Sequence, residues 1–344
     1  MKRIKRDPDV FGSLDLFLRL SRGAREELSG TTAPDEFGRR VREALQKVRQ
    51  QPAVLHGRRT QEMFAFVAAS LGRTVLIKEE DCGEVVASGE GLVVPDYRLV
   101  LGDKSQHLVE VKNCHRESPT TPIRLTPAYV RGLTEYGALM GVPVSIAVFW
   151  SRWCLWALVP VEALPPDGLS LLAALPRNNM VLLGDRQLGT TPPLIMRVVA
   201  DPRGPNLPGR DGKHSFRIGS AEFLCGGTRV ASTLERNLAY QFMLFGDWPE
   251  TDSPVELDGD RLVHLDFIFA PKQRTPNQRF ELLGSMSSIV SRKFQALTST
   301  TADVTSISPA AEPASLGVMI PEDYVGEALP LWQFEVQPHG KGGV

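Results

Sequence analysis

One stretch, LVVPDYRLVLGDKSQHLVEVKNCH at positions 92 to 115, constrains the fold of this chain more than any other. It contains two apolar runs with the alternation of half-buried strands, and the polar segment GDKS between them is typical of a turn. Both runs nevertheless carry charge, because Asp96 begins the first and Glu110 and Lys112 lie within the second. A folded chain buries charged side chains only where they have partners, so this hairpin is the first place to expect a functional site.

The pairing register of the two runs decides whether these charges meet, because successive strand side chains point to opposite faces of a sheet. A turn centred on Asp103 places Asp96 opposite Glu110 and gathers the charges on one face. A register shifted by one residue would place Asp96 beside Val111 and mix charges into the apolar face, which burial disfavours. We therefore predict a face that packs, with Tyr97, Leu99, Leu101, Val109 and Val111, and a face for chemistry, with Asp96, Arg98, Glu110 and Lys112.

The charged face has the composition of a metal site. Two carboxylates held opposite each other repel, and each raises the proton affinity of the other unless a cation lies between them. Carboxylate oxygens suit Mg²⁺ or Mn²⁺, so Asp96 and Glu110 are candidate ligands, with the backbone carbonyl of Val111 as a further ligand. Lys112 is placed to orient an attacking water or to neutralise charge developing on a phosphoryl group. The alternative is a surface ion pair between Glu110 and Lys112, which would contribute little to stability.

The hairpin lies within a complete α/β unit. The predicted order is a helix, three or four strands, a second helix and two strands, and it fills about residues 50 to 165. The second helix has the clearest limits, because Thr126 is a good N-cap, Pro127 suits the first turn and Gly141 suits the C-terminal stop. The elements are predicted at residues 58 to 71, Thr74 to Lys78, Val85 to Ala87, Tyr97 to Leu101, Leu108 to Lys112, 127 to 140, Val144 to Trp150 and Leu155 to Val159.

Pro95-Asp96 at the start of one strand, followed by Glu-Val-Lys at 110 to 112 inside the next, resembles the motif of the PD-(D/E)xK nuclease superfamily, also called restriction-endonuclease-like. The similarity covers residues 55 to 160. It implies a mixed β-sheet flanked by helices, a bound Mg²⁺ or Mn²⁺, and in-line hydrolysis of a phosphodiester bond that leaves a 5′-phosphate. The expected enzyme is a Mg²⁺-dependent endodeoxyribonuclease, with defence against foreign DNA or repair as its biological setting.

The resemblance also assigns further site residues. The first core helix of this superfamily often adds an acidic residue, which points to Glu62 as a metal ligand; alternatively, Glu62 is an acid favoured by the helix dipole. The helix after the Glu-Val-Lys strand often carries polar or aromatic residues that face the site. Tyr129 and Tyr136 are therefore candidates for substrate contact, or else belong to the core face of that helix. Further candidates for substrate contact, explained equally well as solvated residues, are Arg58, Arg59, His115 and Arg116.

The remainder of the chain is predicted to form two more regions, because 344 residues exceed one ordinary small domain. Residues 1 to 54 are expected to form an N-terminal helical hairpin. The nuclease-like domain follows at residues 55 to 165, and residues 166 to 344 are expected to form a C-terminal α+β domain of unknown role. Outside the nuclease-like domain we predict helices at residues 12 to 22, 36 to 50, 230 to 246 and 278 to 297, and a hairpin at Pro254 to Ala270 that turns at Asp258-Gly259.

Composition favours a globular protein in the cytoplasm. No apolar stretch approaches the length of a membrane span, and the basic N-terminus MKRIKRDPDV has no apolar core region behind it, so we expect neither membrane contact nor a secretory signal. The formal net charge is −1, but residues 1 to 60 hold 14 Lys and Arg against 8 Asp and Glu. That excess could face a polyanion such as DNA, although solvated helix faces have the same composition.

Three hypotheses about function follow from the sequence. The first is a metal-dependent nuclease that acts on DNA, as a homo-oligomer or with a partner in a defence complex. The second is a non-catalytic nuclease-like fold that binds nucleic acid or serves as a scaffold subunit; the intact set of Asp96, Glu110 and Lys112 argues against it. The third is an enzyme whose activity lies in residues 166 to 344, where no recognisable motif occurs.

Overall fold

The fold is known from a computed structural model of the chain. It describes residues 1, 12–13, 16–17, 19, 33–82, 85–88, 90–208, 213–300, 304–313 and 316–339. In these residues the α-helices are α1 (Ala33–Arg49), α2 (Pro52–Ser70), α3 (Pro127–Met140), α4 (Leu171–Ala174), α5 (Thr233–Phe245), α6 (Met286–Thr298) and α7 (Leu316–Met319).

A five-stranded sheet, which we call the core sheet, contains the predicted hairpin. Its order is β1-β2-β3-β4-β5, and it is mixed, because β3 and β4 run parallel while the other neighbours are antiparallel. The prediction of a mixed sheet flanked by helices is thereby confirmed. Its strands are β1 (Thr74–Glu79), β2 (Tyr97–Leu101), β3 (Gln106–Cys114), β4 (Val144–Trp150) and β5 (Leu155–Pro160).

The later half of the chain forms further sheets. The largest has the order β11-β10-β7-β14-β12, with β13 paired to β14; a second has the order β15-β6-β16, and β8 pairs with β9. These strands are β6 (Gln187–Thr190), β7 (Leu194–Ala200), β8 (Asn206–Pro208), β9 (His214–Phe216), β10 (Ile218–Cys225), β11 (Thr228–Arg229), β12 (Glu250–Asp252), β13 (Val255–Asp258), β14 (Arg261–Phe269), β15 (Glu281–Ser285) and β16 (Leu331–Phe334).

The β2–β3 hairpin has the register that the sequence predicts. Tyr97 pairs with Val109 and Leu99 pairs with His107, so the turn is centred on Asp103. The N–H of Leu101 closes this turn on the carbonyl of Ser105 at 2.9 Å. On the apolar face the side chains of β2 and β3 are buried in the main hydrophobic core, as expected: Tyr97, Leu99, Leu101, Val109 and Val111.

The other face of the hairpin, which we expect to carry the chemistry, is also packed in part. Leu108 and Cys114 lie on this face and are buried in a second apolar cluster, together with Leu133 of α3. The reason is topological: the parallel strands β3 and β4 need a crossover connection, and the helix of that crossover covers the sheet. Glu110 and Lys112 therefore lie between the core sheet and Tyr129 of α3 rather than on an open surface.

Helix α3 begins and ends where the sequence predicts. The side chain of Thr126 accepts a hydrogen bond from the N–H of Tyr129, and Pro127 occupies the first turn. Gly141 ends the helix with φ of 64°, a left-handed conformation that glycine adopts without strain. The strand expected at Val85–Ala87 is not formed, because residues 85 to 88 have no regular secondary structure.

Three other predictions outside the core sheet need correction or lie partly beyond the described residues. Most of the predicted helix at residues 12 to 22 is outside them, although the ring of Phe17 contacts that of Phe37 in α1 at 5.4 Å. The helix predicted from residue 278 begins only at Met286, because β15 precedes it. In the β13–β14 hairpin Asp258 pairs with Arg261, so the turn consists of residues 259 and 260.

Helix α2 connects the core sheet to the later half of the chain. The ring of Phe64 lies 5.5 Å from that of Trp156 in β5, and the ring of Phe66 lies 5.5 Å from that of Phe294 in α6. One hydrophobic core contains all four side chains, so the predicted boundary at residue 165 falls between elements that share a core. Among the described helices, each is too short or too polar to cross a bilayer.

Candidate functional site

Asp96 immediately precedes β2 and is 8% exposed. Its Oδ2 accepts a hydrogen bond from the backbone N–H of Val111 at 2.7 Å, and its Oδ1 accepts one from Nε2 of Gln61 at 2.5 Å. In the first bond the side chain of Asp96 extends the hydrogen bonding between β2 and β3 by one residue beyond Tyr97. The second bond comes from α2, so Asp96 is held between a strand and a helix.

Glu110, Lys112 and Tyr129 form a compact triangle beside Asp96. Nζ of Lys112 donates to Oε1 of Glu110 at 2.5 Å and to the hydroxyl of Tyr129 at 3.0 Å. The Tyr129 hydroxyl donates to the same Oε1 at 2.6 Å, and Nζ lies 4.8 Å from the centre of the tyrosine ring. Glu110 is only 4% exposed, so charge-assisted hydrogen bonds of this kind are needed to keep its carboxylate buried.

The electrostatics of the site show an excess of negative charge. Burial and the neighbouring carboxylate of Glu110 raise the pKa of Asp96 to about 7. Burial alone would lower the pKa of Lys112, but its attraction and hydrogen bonds to Glu110 and Tyr129 together outweigh burial and raise the pKa above the usual range. Burial and the bond to Glu110 raise the pKa of Tyr129 to about 12. At neutral pH Lys112 is therefore charged, the hydroxyl of Tyr129 is a hydrogen-bond donor and the carboxyl of Asp96 is partly protonated.

The donor set fits a hard divalent cation that keeps part of its hydration shell. In the described part of the chain, no three His, Cys, Asp or Glu side chains are grouped so as to hold an ion. The site instead offers two carboxylates and the carbonyl of Val111, which leaves β3 on the same edge as the N–H that binds Asp96. Mg²⁺ is commonly bound by one or two carboxylates, with water and substrate oxygens completing the octahedron.

Glu62 lies in α2 next to the site, but its carboxylate is engaged elsewhere. Nη2 of Arg58 donates to Oε1 of Glu62 at 3.0 Å, and Nη1 of the same arginine contacts Glu79 at 2.5 Å. The structure does not group Glu62 with Asp96 and Glu110. The preceding residue, Gln61, is the one whose side chain reaches Asp96.

Gln61 was missed by sequence reasoning, although a signal for it was present. It lies three residues before Phe64, and side chains three apart share one face of a helix. Phe64 is fully buried and packs against Tyr97 of β2, with the ring centres 6.0 Å apart. The helical spacing therefore directs Gln61, rather than Glu62, toward the start of β2.

The remaining candidates are distributed around this group. The hydroxyl of Tyr136 donates to Oε1 of Glu80 at 2.8 Å, beside the site rather than within it. His115 contacts the hydroxyl of Ser151 at 2.8 Å, and Arg116 next to it is exposed. Arg59 is bound inside the protein, because its guanidinium donates to the side chains of Thr298 and Ser299 at the end of α6.

Comparison with known proteins adds little to this geometry. No family model matches the chain, and no curated protein matches it. Four solved chains match, among them Archaeoglobus fulgidus Hjc, a Holliday junction resolvase from an archaeal hyperthermophile. The similarity to Hjc has 19% sequence identity, covers 28% of this chain and 76% of that chain, and has a TM-score of 0.23. A TM-score this low supports no conclusion about fold or function, so the assignment of a mixed α/β fold rests on the strand order of the core sheet.

Proposed function

We propose that the protein is a metal-dependent nuclease with a restriction-endonuclease-like core, and that it hydrolyses phosphodiester bonds in DNA with Mg²⁺ or Mn²⁺. The observation that carries this proposal is the meeting of Asp96, Glu110 and Lys112 at the end of the β2–β3 hairpin, with both carboxylates buried. Two buried acids beside one lysine leave a negative charge uncompensated, which is costly unless a proton or a cation neutralises it. A divalent cation is the neutralising group that also has a catalytic use.

We assign the cation to Asp96, Glu110 and the carbonyl of Val111. Oε1 of Glu110 already accepts from Lys112 and Tyr129, so Oε2 is the oxygen that we assign to the ion. When bound, the ion polarises the phosphoryl group and lowers the pKa of a coordinated water. Arg58 already binds Oε1 of Glu62, so we propose for Glu62 a secondary role that depends on substrate.

The protein's own side chains position the reactants. Lys112 is held charged by Glu110 and Tyr129, where it can donate a hydrogen bond to the attacking water or to a phosphate oxygen. Gln61 fixes the orientation of Asp96 through its amide. We further propose phosphate contacts from Arg58, His115 and Arg116. Arg59 is assigned no such contact, because its guanidinium is bound at the end of α6. Tyr136 is assigned none, because its hydroxyl is bound to Glu80.

The setting that we propose for this activity is the cytoplasm, in defence against foreign DNA or in repair, as a homo-oligomer or with a partner protein. Residues 166 to 344 would recognise a feature of the substrate, a partner or a signal. The shared core between α2 and α6 offers a route by which this half could influence the site, since α2 also carries Gln61.

A cleavage assay tests the proposal. Purified protein is incubated with plasmid, linear and single-stranded DNA and with RNA, in Mg²⁺, Mn²⁺ or chelator. We expect cleavage of DNA that requires the metal and is lost in Lys112→Ala, whereas Lys272→Ala, at an exposed position in the later half, retains it. Absence of cleavage on every substrate, or full cleavage by Lys112→Ala, would contradict the proposal. Binding of nucleic acid without cleavage would favour the non-catalytic scaffold instead.

A further inference from the structure

A second buried polar cluster lies on the charged face of the core sheet, beside the candidate site. Its centre is Glu80, directly after β1 and 8% exposed. Oε1 of Glu80 accepts from Nη2 of Arg98 at 2.6 Å and from the hydroxyl of Tyr136 at 2.8 Å, and Oε2 accepts from Nε of Arg98 at 3.1 Å. The backbone N–H of Glu80 donates to the carbonyl of Asp96 at 2.8 Å. Glu80 thus joins α3, β2 and the backbone of a proposed metal ligand.

The two tyrosines of α3 bind the two clusters. Tyr129 and Tyr136 are seven residues apart, or about 10 Å along a helix, and lie on the same face. Tyr129 binds Glu110 and Lys112, whereas Tyr136 binds Glu80. Leu133 between them is fully buried in an apolar cluster with Leu108 of β3. Apolar packing between the two tyrosines is non-directional, so the hydroxyl bonds at either end fix how α3 is rotated over the sheet.

We propose that Glu80, Arg98 and Tyr136 form a positioning cluster, which orients α3 so that Tyr129 stays bound to Glu110 and Lys112. The effect on catalysis rests on the proposed function, whereas the effect of the cluster on the orientation of α3 does not. Glu80 also fixes Asp96 through its backbone, so one residue constrains both sides of the site. Small displacements matter here, because misplacing a reactive group by about 1 Å can cost roughly 10²-fold in rate.

The variant that isolates this claim is Tyr136→Phe. It removes one hydroxyl and leaves Nε and Nη2 of Arg98 bonded to Glu80. The buried carboxylate therefore keeps its counter-charge, and we expect the fold to be retained. A matched control is Tyr324→Phe, which removes a hydroxyl that contacts the buried Glu235 at 3.5 Å in the later half of the chain. Glu80→Ala is less informative, since it leaves the Arg98 charge without its carboxylate.

Cleavage kinetics give the first measurement. We expect Tyr136→Phe and Tyr129→Phe each to lower kcat about tenfold with KM little changed, and the double variant to be no slower than the slower single variant, because both act through one contact. Tyr324→Phe should keep the wild-type kcat. Losses that multiply to about a hundredfold in the double variant, or an unchanged kcat in Tyr136→Phe, would overturn the proposal.

Hydrogen exchange gives a measurement that needs no cleavage. The amides of Tyr129 and Val130 bond to the side chain and the carbonyl of Thr126 in the first turn of α3. Tyr136→Phe should accelerate their exchange, two turns away from the substitution, and Tyr324→Phe should not. If the wild-type protein cleaves nothing, the proposed nuclease function fails while exchange still decides the positioning role. Unchanged exchange at Tyr129 and Val130 in Tyr136→Phe would overturn that role.

Discussion

Asp266 and Asp96 are both buried, and each faces a charged residue on a neighbouring strand, but that residue has the opposite sign in the two cases. Asp266 in β14 lies opposite Arg197 in β7, which donates to both of its oxygens at 2.8 Å. Asp96 is buried to a similar degree, but its neighbour across the hairpin is the acid Glu110. The bonds and charge of Arg197 lower the pKa of Asp266, whereas burial and Glu110 raise that of Asp96.

The difference separates a structural charge from a functional one. The pair of Arg197 and Asp266 is complete, since the fork of the guanidinium fills both carboxylate oxygens. The group of Asp96, Glu110 and Lys112 has two acids for one base and is complete only with an added proton or cation. Groups whose pKa is shifted by burial together with a like charge are candidates for function.

The largest expected effect comes from removing the charge of each aspartate in turn. Asp96→Asn should lower the rate of DNA cleavage by roughly 10³-fold or more, because the metal loses a charged ligand. Asp266→Asn should leave the rate near wild type but lower the free energy of unfolding by about 1–3 kcal/mol, because the charged hydrogen bonds to Arg197 are lost. Cleavage assays and urea unfolding measure the two effects. A large loss of activity in Asp266→Asn, measured where the variant is fully folded, would contradict the distinction between a functional Asp96 and a structural Asp266.

A second expected effect is stabilisation by metal. Mg²⁺ or Mn²⁺ that binds only the folded protein should raise its stability by about 2.7 kcal/mol at a hundred times the Kd. The melting temperature of the wild-type protein and of Asp266→Asn should therefore rise with metal, and that of Asp96→Asn should not. An equal rise in all three proteins would place the metal elsewhere.

The pH dependence of stability should have opposite signs at the two sites. The folded pKa of Asp96 is raised to about 7 from 3.8, so without metal the folded state binds the extra proton, and stability falls as pH rises from about 4 to 7, by at most about 1.4 kcal/mol per pH unit. Glu110, Asp81 and Lys112 are the charged groups that act on it. The folded pKa of Asp266 is lowered, so its contribution is present above the unfolded pKa and is lost in acid.

Unfolding free energies measured in chelator between about pH 2 and 8 test these signs. Asp96→Asn should reduce the decline toward neutral pH, and Asp266→Asn should reduce the loss of stability below pH 4. A decline toward neutral pH that is as steep in Asp96→Asn as in the wild type would show that another group causes it.

The smallest expected effect concerns Gln61. Gln61→Leu keeps the size of the side chain but removes the amide that binds Asp96, so kcat should fall about tenfold while metal-dependent cleavage persists. Glu62→Gln is the neighbouring comparison, because it tests whether the acid paired with Arg58 supports the metal. A larger loss in Glu62→Gln than in Gln61→Leu, measured in single-turnover cleavage, would reverse our ranking of the two residues.

The sequence predicts the hairpin well because its information is local. Alternation of apolar side chains and a polar turn at Asp103 leave one register that buries the apolar face, and that register brings Asp96 to Glu110. The limits of α3 are likewise encoded by Thr126, Pro127 and Gly141, each of which has a specific backbone role.

The missed residues depend on packing between distant segments. Gln61 reaches Asp96 because Phe64 fixes the rotation of α2 against the sheet. Its spacing of three residues from Phe64 distinguishes it from Glu62 only once Phe64 is known to pack on β2. Glu80 becomes important only when β1, β2 and α3 come together, since its partners Arg98 and Tyr136 lie 18 and 56 residues away. The packing of Leu133 of α3 with Leu108 on the charged face likewise depends on contacts between distant segments.

The most direct test of the account is a calorimetric titration of Mn²⁺ into metal-free protein near pH 7, repeated in buffers of different ionisation enthalpy. We predict binding accompanied by release of protons in the wild type, because Asp96 is partly protonated before the metal binds. Asp266→Asn should behave in the same way, and Asp96→Asn should lose both the binding and the proton release. Absence of binding in the wild type, or undiminished binding in Asp96→Asn, would contradict the assignment of a metal to this site.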